Sequence, residues 1–580
     1  MWLRSRQLAL LVSSAIAIAP ALHAQSKPAE ADQKLFETIE VRVINLDAIV
    51  TGKDGKPVTG LAKGDFEVFE NGVKQEITNF VEVRGKGPAA SPAPAPAAQP
   101  ETPEPERRPR RIVIFIDNAT IHPFHRNAVL EATGRFLQNN VRQGDQVMIA
   151  TWASSLAVVL PLTSDRAAMD AALKRLASQT TLGAKSDKEE YRWRLQVLIS
   201  EWRTTRSRQV ELGPPFDQGL DVARIYAKQA AHDMRQKQEA LKSVLAALRL
   251  IEGRKILVLV TERFSDNPSD YFLAYLDSIK QNFAGGANAT PLSESSDFLI
   301  PALVPGIADA ANSSGVTLYP INGAGKESDI EDVLPDPSAQ GSTLPSTPMI
   351  HLQSGSMTMH GIAEATGGTA LNGSSNWNLA LDSIASDLDS YYSIGYRATG
   401  KRQDRINNVE VRLKNRKYSV RARRAIVEKS IASELVDSVV GNLFYPVSKN
   451  DLMIEATAGA PAAATGNSIS VPLAIRIPME SLTLLPDGSD LTGSFVVCAA
   501  FSRSDGAVSK VDNQVREFRF PAESLKRRKD LTVKLDVATD PHTDAISIGV
   551  MDDRSHVTGY ATVKIAAPPE ASPPAAPQAK

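Results

Sequence analysis

Ile112-Val113-Ile114-Phe115-Ile116, closing on Asp117-Asn118, is a run of β-branched and aromatic residues with no polar position inside it. A half-exposed strand alternates apolar and polar side chains, so a run that is apolar throughout belongs to a strand covered on both faces, as inside a parallel sheet. Working outward, a helical segment from Arg126 to Asn139 leads through Gly144-Asp145 to a second apolar strand, Gln146 to Trp152. A third strand near Leu156 to Leu160, a helix from Arg166 to Leu176, and strands at Lys255–Val260 and Val316–Ile321 continue the alternation, and Leu379 to Leu388 closes it as a helix. Strands alternating with helices predict an α/β fold: a doubly wound, mostly parallel sheet whose ligand crevice lies at the carboxyl ends of its strands.

Two inserts interrupt this sheet. Residues 187–251 are charged and helical in character, with Leu220, Ala227, Ala230, Met234, Leu241, Leu245 and Leu248 at helix-compatible spacing and a break at Gly213-Pro214-Pro215; a projecting helical pair is expected. The stretch from about Gly323 to Ser356, rich in Gly, Ser, Thr and Pro, reads as a mobile loop.

The flanks differ in character. At the N-terminus, Arg4 and Arg6 precede an apolar run from Leu8 to Ala19 and a small residue at Ala24, the pattern of a secretory signal peptide over residues 1–24. That run is too short for the roughly 20 residues a spanning helix needs. Residues 35–84 alternate with period two and carry Asn71-Gly72, a turn pair that tolerates positive φ, so a small N-terminal β unit is expected. Residues 85–110 hold eight prolines and form an extended linker, whose basic end at Arg107, Arg108, Arg110 and Arg111 reads as solvated. After the central domain at 111–400 come a β extension at 401–430 and a C-terminal β-sandwich at 431–566. The sandwich is read from strands at Ser468–Ile477, Thr492–Phe501, Val515–Phe520, Leu531–Val537 and Ala545–Met551. Residues 567–580 are a Pro- and Ala-rich disordered tail.

Composition narrows the function. The 65 Lys+Arg against 66 Asp+Glu leave a net charge of -1, with no global field for gripping nucleic acid. The single cysteine, Cys498, excludes an intrachain disulfide framework and a cysteine-based zinc cluster, and its apolar neighbours make it an inert buried thiol. His122 and His125 lack a third ligand at suitable spacing and read as surface or capping groups.

The segment from Arg111 to about Arg397 resembles a von Willebrand factor A domain, and within that fold the von Willebrand factor A-related family of acidobacteria. The resemblance rests on Ile112 to Asp117, Gly144-Asp145-Gln146-Val147, Pro161-Leu162-Thr163-Ser164-Asp165, Gly253 to Thr261, and Gly367-Gly368-Thr369 leading to Asp387 to Tyr396. Asp65-Phe66-Glu67-Val68 and Asn71-Gly72 match the family layout as well, and coverage is about two thirds of the chain. The resemblance implies a divalent cation held at the strand ends by an Asp-x-Ser-x-Ser loop, a threonine and a later aspartate. Here the loop reads Asp117-Asn118-Ala119-Thr120-Ile121, so both serine positions lack a side-chain oxygen, and the later position is Thr261-Glu262-Arg263. Mg²⁺ wants about six oxygens in a near-octahedral shell. The metal site is therefore expected to be degenerate, with Asp117 and Glu262 its remnants, and no cofactor is expected. A residual Mg²⁺ site on those two residues is the alternative. Asn118, Thr120, Thr180, Thr181 and Arg263 would line a partner crevice.

Together these features predict an exported, periplasmic or extracellular, non-enzymatic protein that binds an unknown protein partner of the cell envelope or extracellular space. No nucleic acid and no transmembrane helix after signal removal are expected. A metal-dependent adhesion domain is the first alternative and an envelope hydrolase the more remote one.

Overall fold

The computed structural model describes residues 42–84, 109–121, 123–153, 155–179, 214–249, 251–262, 264–269, 291–323, 347–372, 376–398, 404–444, 450–464, 468–503 and 512–565, with isolated positions at 191–197, 272–277 and 508–509. Arg110–Asp117 is the middle strand of a five-stranded sheet. It runs parallel to Gln146–Trp152 on one side, with Ile114 opposite Ile149, and to Arg254–Thr261 on the other, with Ile114 opposite Val258. Val316–Asn322 extends the parallel set, and Leu156–Thr163 forms an antiparallel edge.

The apolar run is explained by where alternate residues go. Val113 and Phe115 point into a core with Leu257, Leu259 and residues of three helices, Pro214–Leu248, Leu303–Ser314 and Thr347–Thr366. Ile112, Ile114 and Ile116 point the other way, into a core closed by Pro123–Asn140, Arg166–Ser178 and Trp377–Asp389. Each such buried side chain contributes about 1.5–3 kcal/mol, so a polar residue at any of these positions would be costly.

The expectation of a projecting helical pair at 187–251 is corrected over its described part. Pro214–Leu248 is one 35-residue helix lying along the sheet. Asp221, Lys228, Arg235 and Glu239 are exposed on it and Lys237 is buried, while Ala231, Met234, Leu241, Leu245 and Leu248 cover Val113 and Phe115. Pro214 sits at its first position, where the missing N–H is no loss. The expected mobile loop at 323–356 also needs correction at its end, because residues from Thr347 onward begin the helix Thr347–Thr366. That helix is anchored by Met359, Ile362 and Ala363, which override poor local propensity.

Residues 42–84 do not stand alone. Arg42–Thr51 pairs antiparallel with Ser390–Ala398, Leu46 facing Ile394, and Ile77–Arg84 flanks the other side of that strand. Phe66–Glu70 pairs with Arg405–Leu413, so strands from both ends of the central domain enclose one core around Phe66, Val68, Tyr392 and Ile394. The Asn71-Gly72 turn forms as expected: φ is 48° at Asn71 and 81° at Gly72, joining Phe66–Glu70 to Val73–Gln75.

Toward the C-terminus, Ile469–Pro478 pairs with Asp530–Thr539, and Asp490–Arg503 pairs with Asp512–Pro521 and Thr543–Asp552. The two antiparallel sheets share a core of Val471, Leu473, Ile475, Phe495, Val497 and Ile548. Helix Ile431–Phe444 wedges between this unit and the long helix. A Cβ on Gly441 would lie 2.5 Å from the Ala247 Cα, and one on Gly549 would lie 2.4 Å from Val439 Cγ2. At 441 only glycine admits the Ala247 backbone this close, and at 549 only glycine leaves room for the Val439 side chain.

Candidate functional site

Asp117 and Thr261 are the last residues of adjacent parallel strands and are both fully buried. The chain turns immediately after Asp117, and the turn is fastened to its neighbours. Ala119 N–H donates to the Trp152 carbonyl at 3.1 Å, and Ile121 N–H donates to the Asp117 carbonyl at 3.2 Å.

The Asp117 carboxylate accepts five donors from the protein. Oδ1 takes the backbone N–H groups of Ala119 at 3.2 Å and Thr120 at 3.3 Å. Oδ2 takes the Thr120 hydroxyl at 2.5 Å, the Thr261 hydroxyl at 2.7 Å, and the ammonium of Lys237. Lys237 comes from the long helix, and its side chain is 3 % exposed against 0 % for Asp117. Its Nζ also lies 5.9 Å from the centre of the Phe264 ring, within reach of a cation–π attraction. A buried carboxylate is tolerable only when paired and hydrogen-bonded, and here both conditions hold.

This donor set suits an ammonium rather than a divalent ion. A shell of about six oxygens at 2.0–2.1 Å would need Asp117 lone pairs that already accept hydroxyl and N–H protons. An ion of charge two placed about 4 Å from the Lys237 ammonium would meet a repulsion of about 8 kcal/mol at an effective dielectric of 20. Glu262, the second expected remnant, is engaged elsewhere: its Oε1 lies 2.9 Å from His125 Nδ1, both side chains being largely buried. That pair ties the start of helix Pro123–Asn140 to the end of strand Arg254–Thr261. Among the described residues no group of three or more His, Cys, Asp or Glu side chains gathers in metal-binding geometry.

Of the expected crevice residues, Thr120 converges on Asp117, and Asn118 lies beside it with a buried Oδ1 that meets no hydrogen-bond partner among the described residues. Thr180, Thr181 and Arg263 lie outside the described residues, as does His122. Sequence reading missed Lys237 and the role of His125. For Lys237 a signal existed: it sits three residues after Met234 and four before Leu241, on the apolar stripe, and a lysine there demands a buried carboxylate. Nothing local marks His125, whose partner is 137 residues away.

No family model matches the chain, and no curated protein matches it. Among solved structures, an aerotolerance-related membrane protein from Bacteroides fragilis is 12% identical, with 48% of this chain and 98% of that chain covered and a TM-score of 0.24. The conserved hypothetical protein BatB from Bacteroides thetaiotaomicron is 14% identical, covering 48% and 96%, with a TM-score of 0.23. Three N-terminal domains of a type V pili tip protein from Porphyromonas gingivalis are 10% identical, covering 75% and 74%, also at 0.23. At such TM-scores the likeness fixes neither fold nor function. No helix among the described residues is long and apolar enough to cross a membrane.

Proposed function

We propose that the chain is an exported, non-enzymatic protein-protein interaction or adhesion protein. Its central sheet is a von Willebrand factor A-like, doubly wound domain, and its strand-end face is the contact surface. The observation that carries this reading is the five-donor cage on Asp117, in which the ammonium of Lys237 occupies the place a divalent ion would need. Parallel strands with helices on both faces support the domain assignment, and the basic-then-apolar N-terminus supports export. Partner binding then depends on shape and hydrogen bonding at the strand ends and is indifferent to Mg²⁺.

The test uses the mature chain as bait on envelope fractions, with Mg²⁺ or with EDTA. The expected result is a partner retained equally in both, lost on Ala119→Arg at the strand ends, and kept on Lys174→Glu, an exposed position on helix Arg166–Ser178. Capture abolished by EDTA would establish the metal-dependent alternative, and capture insensitive to Ala119→Arg would remove the strand-end face from the reading.

A further inference from the structure

At the opposite end of the same sheet, where the parallel strands begin, a cavity of about 840 Å³ opens beneath the small β layer. Its floor is formed by the first residues of the strands, among them Arg110, Arg254 and Lys255, and its roof by Asp47, Glu82 and Tyr391. The volume falls within the range of small-molecule sites, about 300–1,000 Å³. The floor depends on Gly253, at φ 103°, where a Cβ would come 2.5 Å from the Pro109 carbonyl oxygen.

The charges lining it do not cancel. Three couples are closed: Arg84 with Glu82 at 2.7 Å, Arg110 with Asp145 at 2.6 Å, and Arg142 with Asp389 at 2.6 Å. What remains among the described lining residues is Arg254, Lys255 and Arg423 against one carboxylate, Asp47, an excess of two positive charges, with Lys255 Nζ also donating to the Leu248 and Ile251 carbonyls at 3.2 and 2.9 Å. Arg254 is 8 % exposed, and its Nε and Nη2 are buried with no hydrogen-bond partner among the described residues. Asp47 Oδ2 approaches Nε only to 3.4 Å. The guanidinium carbon lies over the Tyr391 ring, 3.8 Å from its centre, a cation–π contact that restrains its donors. Lys255 Nζ and Arg423 Nη1 both lie within 4 Å of where a Cβ on Gly315 would stand, so two further cations crowd the same wall. Burial pushes Arg423 down from its ordinary range, and burial with the neighbouring arginines pushes Lys255 down to about 8.

Burial opposes the Arg254 charge and Asp47 with its neighbours outweighs it, so the charge is held, and its idle Nε and Nη2 donors gain hydrogen bonds when a fixed anion accepts from them. From this geometry we infer that the cavity is a binding site for a small organic dianion, a phosphate monoester or a dicarboxylate. Its charge is taken by Arg254, Lys255 and Arg423, and its apolar body rests on Tyr391 and Leu388. The site lies at the strand starts and is independent of the partner face at the strand ends.

The test is isothermal titration of the mature chain with phenyl phosphate, with glutarate, and with benzoate as a monoanion of similar body. The expected result is one-to-one binding of a dianion at least about tenfold tighter than benzoate, the increment one added charge-assisted contact supplies. Which dianion binds distinguishes the two sources. Arg254→Met and Arg423→Met should each weaken binding by about tenfold or more, while Lys174→Glu, at an exposed position on helix Arg166–Ser178, leaves it unchanged. Should Arg254→Met fail to fold, Arg423→Met and the wild-type contrast with benzoate decide. Absence of binding by both dianions at about 10 mM, or equal affinity for benzoate, overturns the inference.

Discussion

Replacing Lys237 by methionine tests the strand-end cage directly. Methionine keeps the length and apolar stem of lysine, so packing against the sheet is preserved and the ammonium alone is lost. Asp117 would then sit fully buried with two hydroxyl and two backbone donors but no counter-charge. Removing one partner of a buried pair costs about 3–5 kcal/mol, because the remaining charge stays desolvated. Taking about 2–4 °C per kcal/mol for a domain of this size, the central transition should fall by about 10 °C. Differential scanning calorimetry measures that shift, and urea unfolding measures the free energy. A double-mutant cycle with Asp117→Asn isolates the pair: the double variant should be less destabilised than the two singles added, with a coupling of about 2 kcal/mol or more. A Lys237→Met protein within about 1 kcal/mol of wild type, or additive singles, would refute the cage as described. So would a wild-type chain whose melting temperature rises with added Mg²⁺, since an ion that binds the folded state must stabilise it.

Lys255 gives a pH dependence of definite sign. Its folded value of about 8 lies below its ordinary 10.5, held down by burial first and then by Arg423, Arg249 and Arg111, with Glu252 opposing. The unfolded chain therefore binds a proton that the fold sheds between those values. The penalty is full below pH 8 and relaxes as pH rises toward 10.5, by about 3 kcal/mol in all. Cys498, pushed up to about 12 by burial, acts with the opposite sign above pH 9, so the quantity to measure is the difference between wild type and Lys255→Met. That difference should favour the variant at pH 7 and shrink by pH 10; a difference constant with pH contradicts it. Gly441→Ala, which in a free helix would stabilise by about 1 kcal/mol, should here destabilise by about 1–3 kcal/mol, because its Cβ meets the backbone of Ala247; a rise in stability would disprove the close packing. Cys498 is 1% exposed and should resist iodoacetamide at pH 8 in the native chain yet react in guanidinium. Comparable rates in the two states would show that the thiol is accessible.

The strands of the central sheet were legible because a fully buried strand leaves an unambiguous local record. Gln146–Trp152 has the bounds the sequence indicated, and the runs at Lys255–Val260 and Val316–Ile321 fall inside Arg254–Thr261 and Val316–Asn322. Helix Leu303–Ser314 was not read because Pro305-Gly306 falls near its start, and Thr347–Thr366 because its Gly, Ser and Thr content masks an apolar face that only packing reveals. The pairing of Arg42–Thr51 with Ser390–Ala398 was invisible for another reason. Strand partners more than 340 residues apart are chosen by the fold that brings them together, and neither strand names the other. At the candidate site, Asp117 and Thr120 could be singled out from the loop, but Lys237 reaches them from a helix more than a hundred residues on.

The two ends of the central sheet handle charge in opposite ways, and that contrast follows from the direction of its strands. At the carboxyl ends, a single carboxylate is met by a single ammonium and a full set of donors, so Asp117 is neutralised within the fold. At the amino ends, three cations meet one carboxylate, and Arg254 keeps donors that no described residue uses. At the strand ends the buried charge of Asp117 is balanced by Lys237, a neighbour already in the chain. Under the inference above, the charge left unbalanced among the described residues at the strand starts is met by a bound anion. Substitutions at Lys237 should accordingly register as lost stability with ligand affinity intact, and substitutions at Arg254 or Arg423 as lost anion affinity.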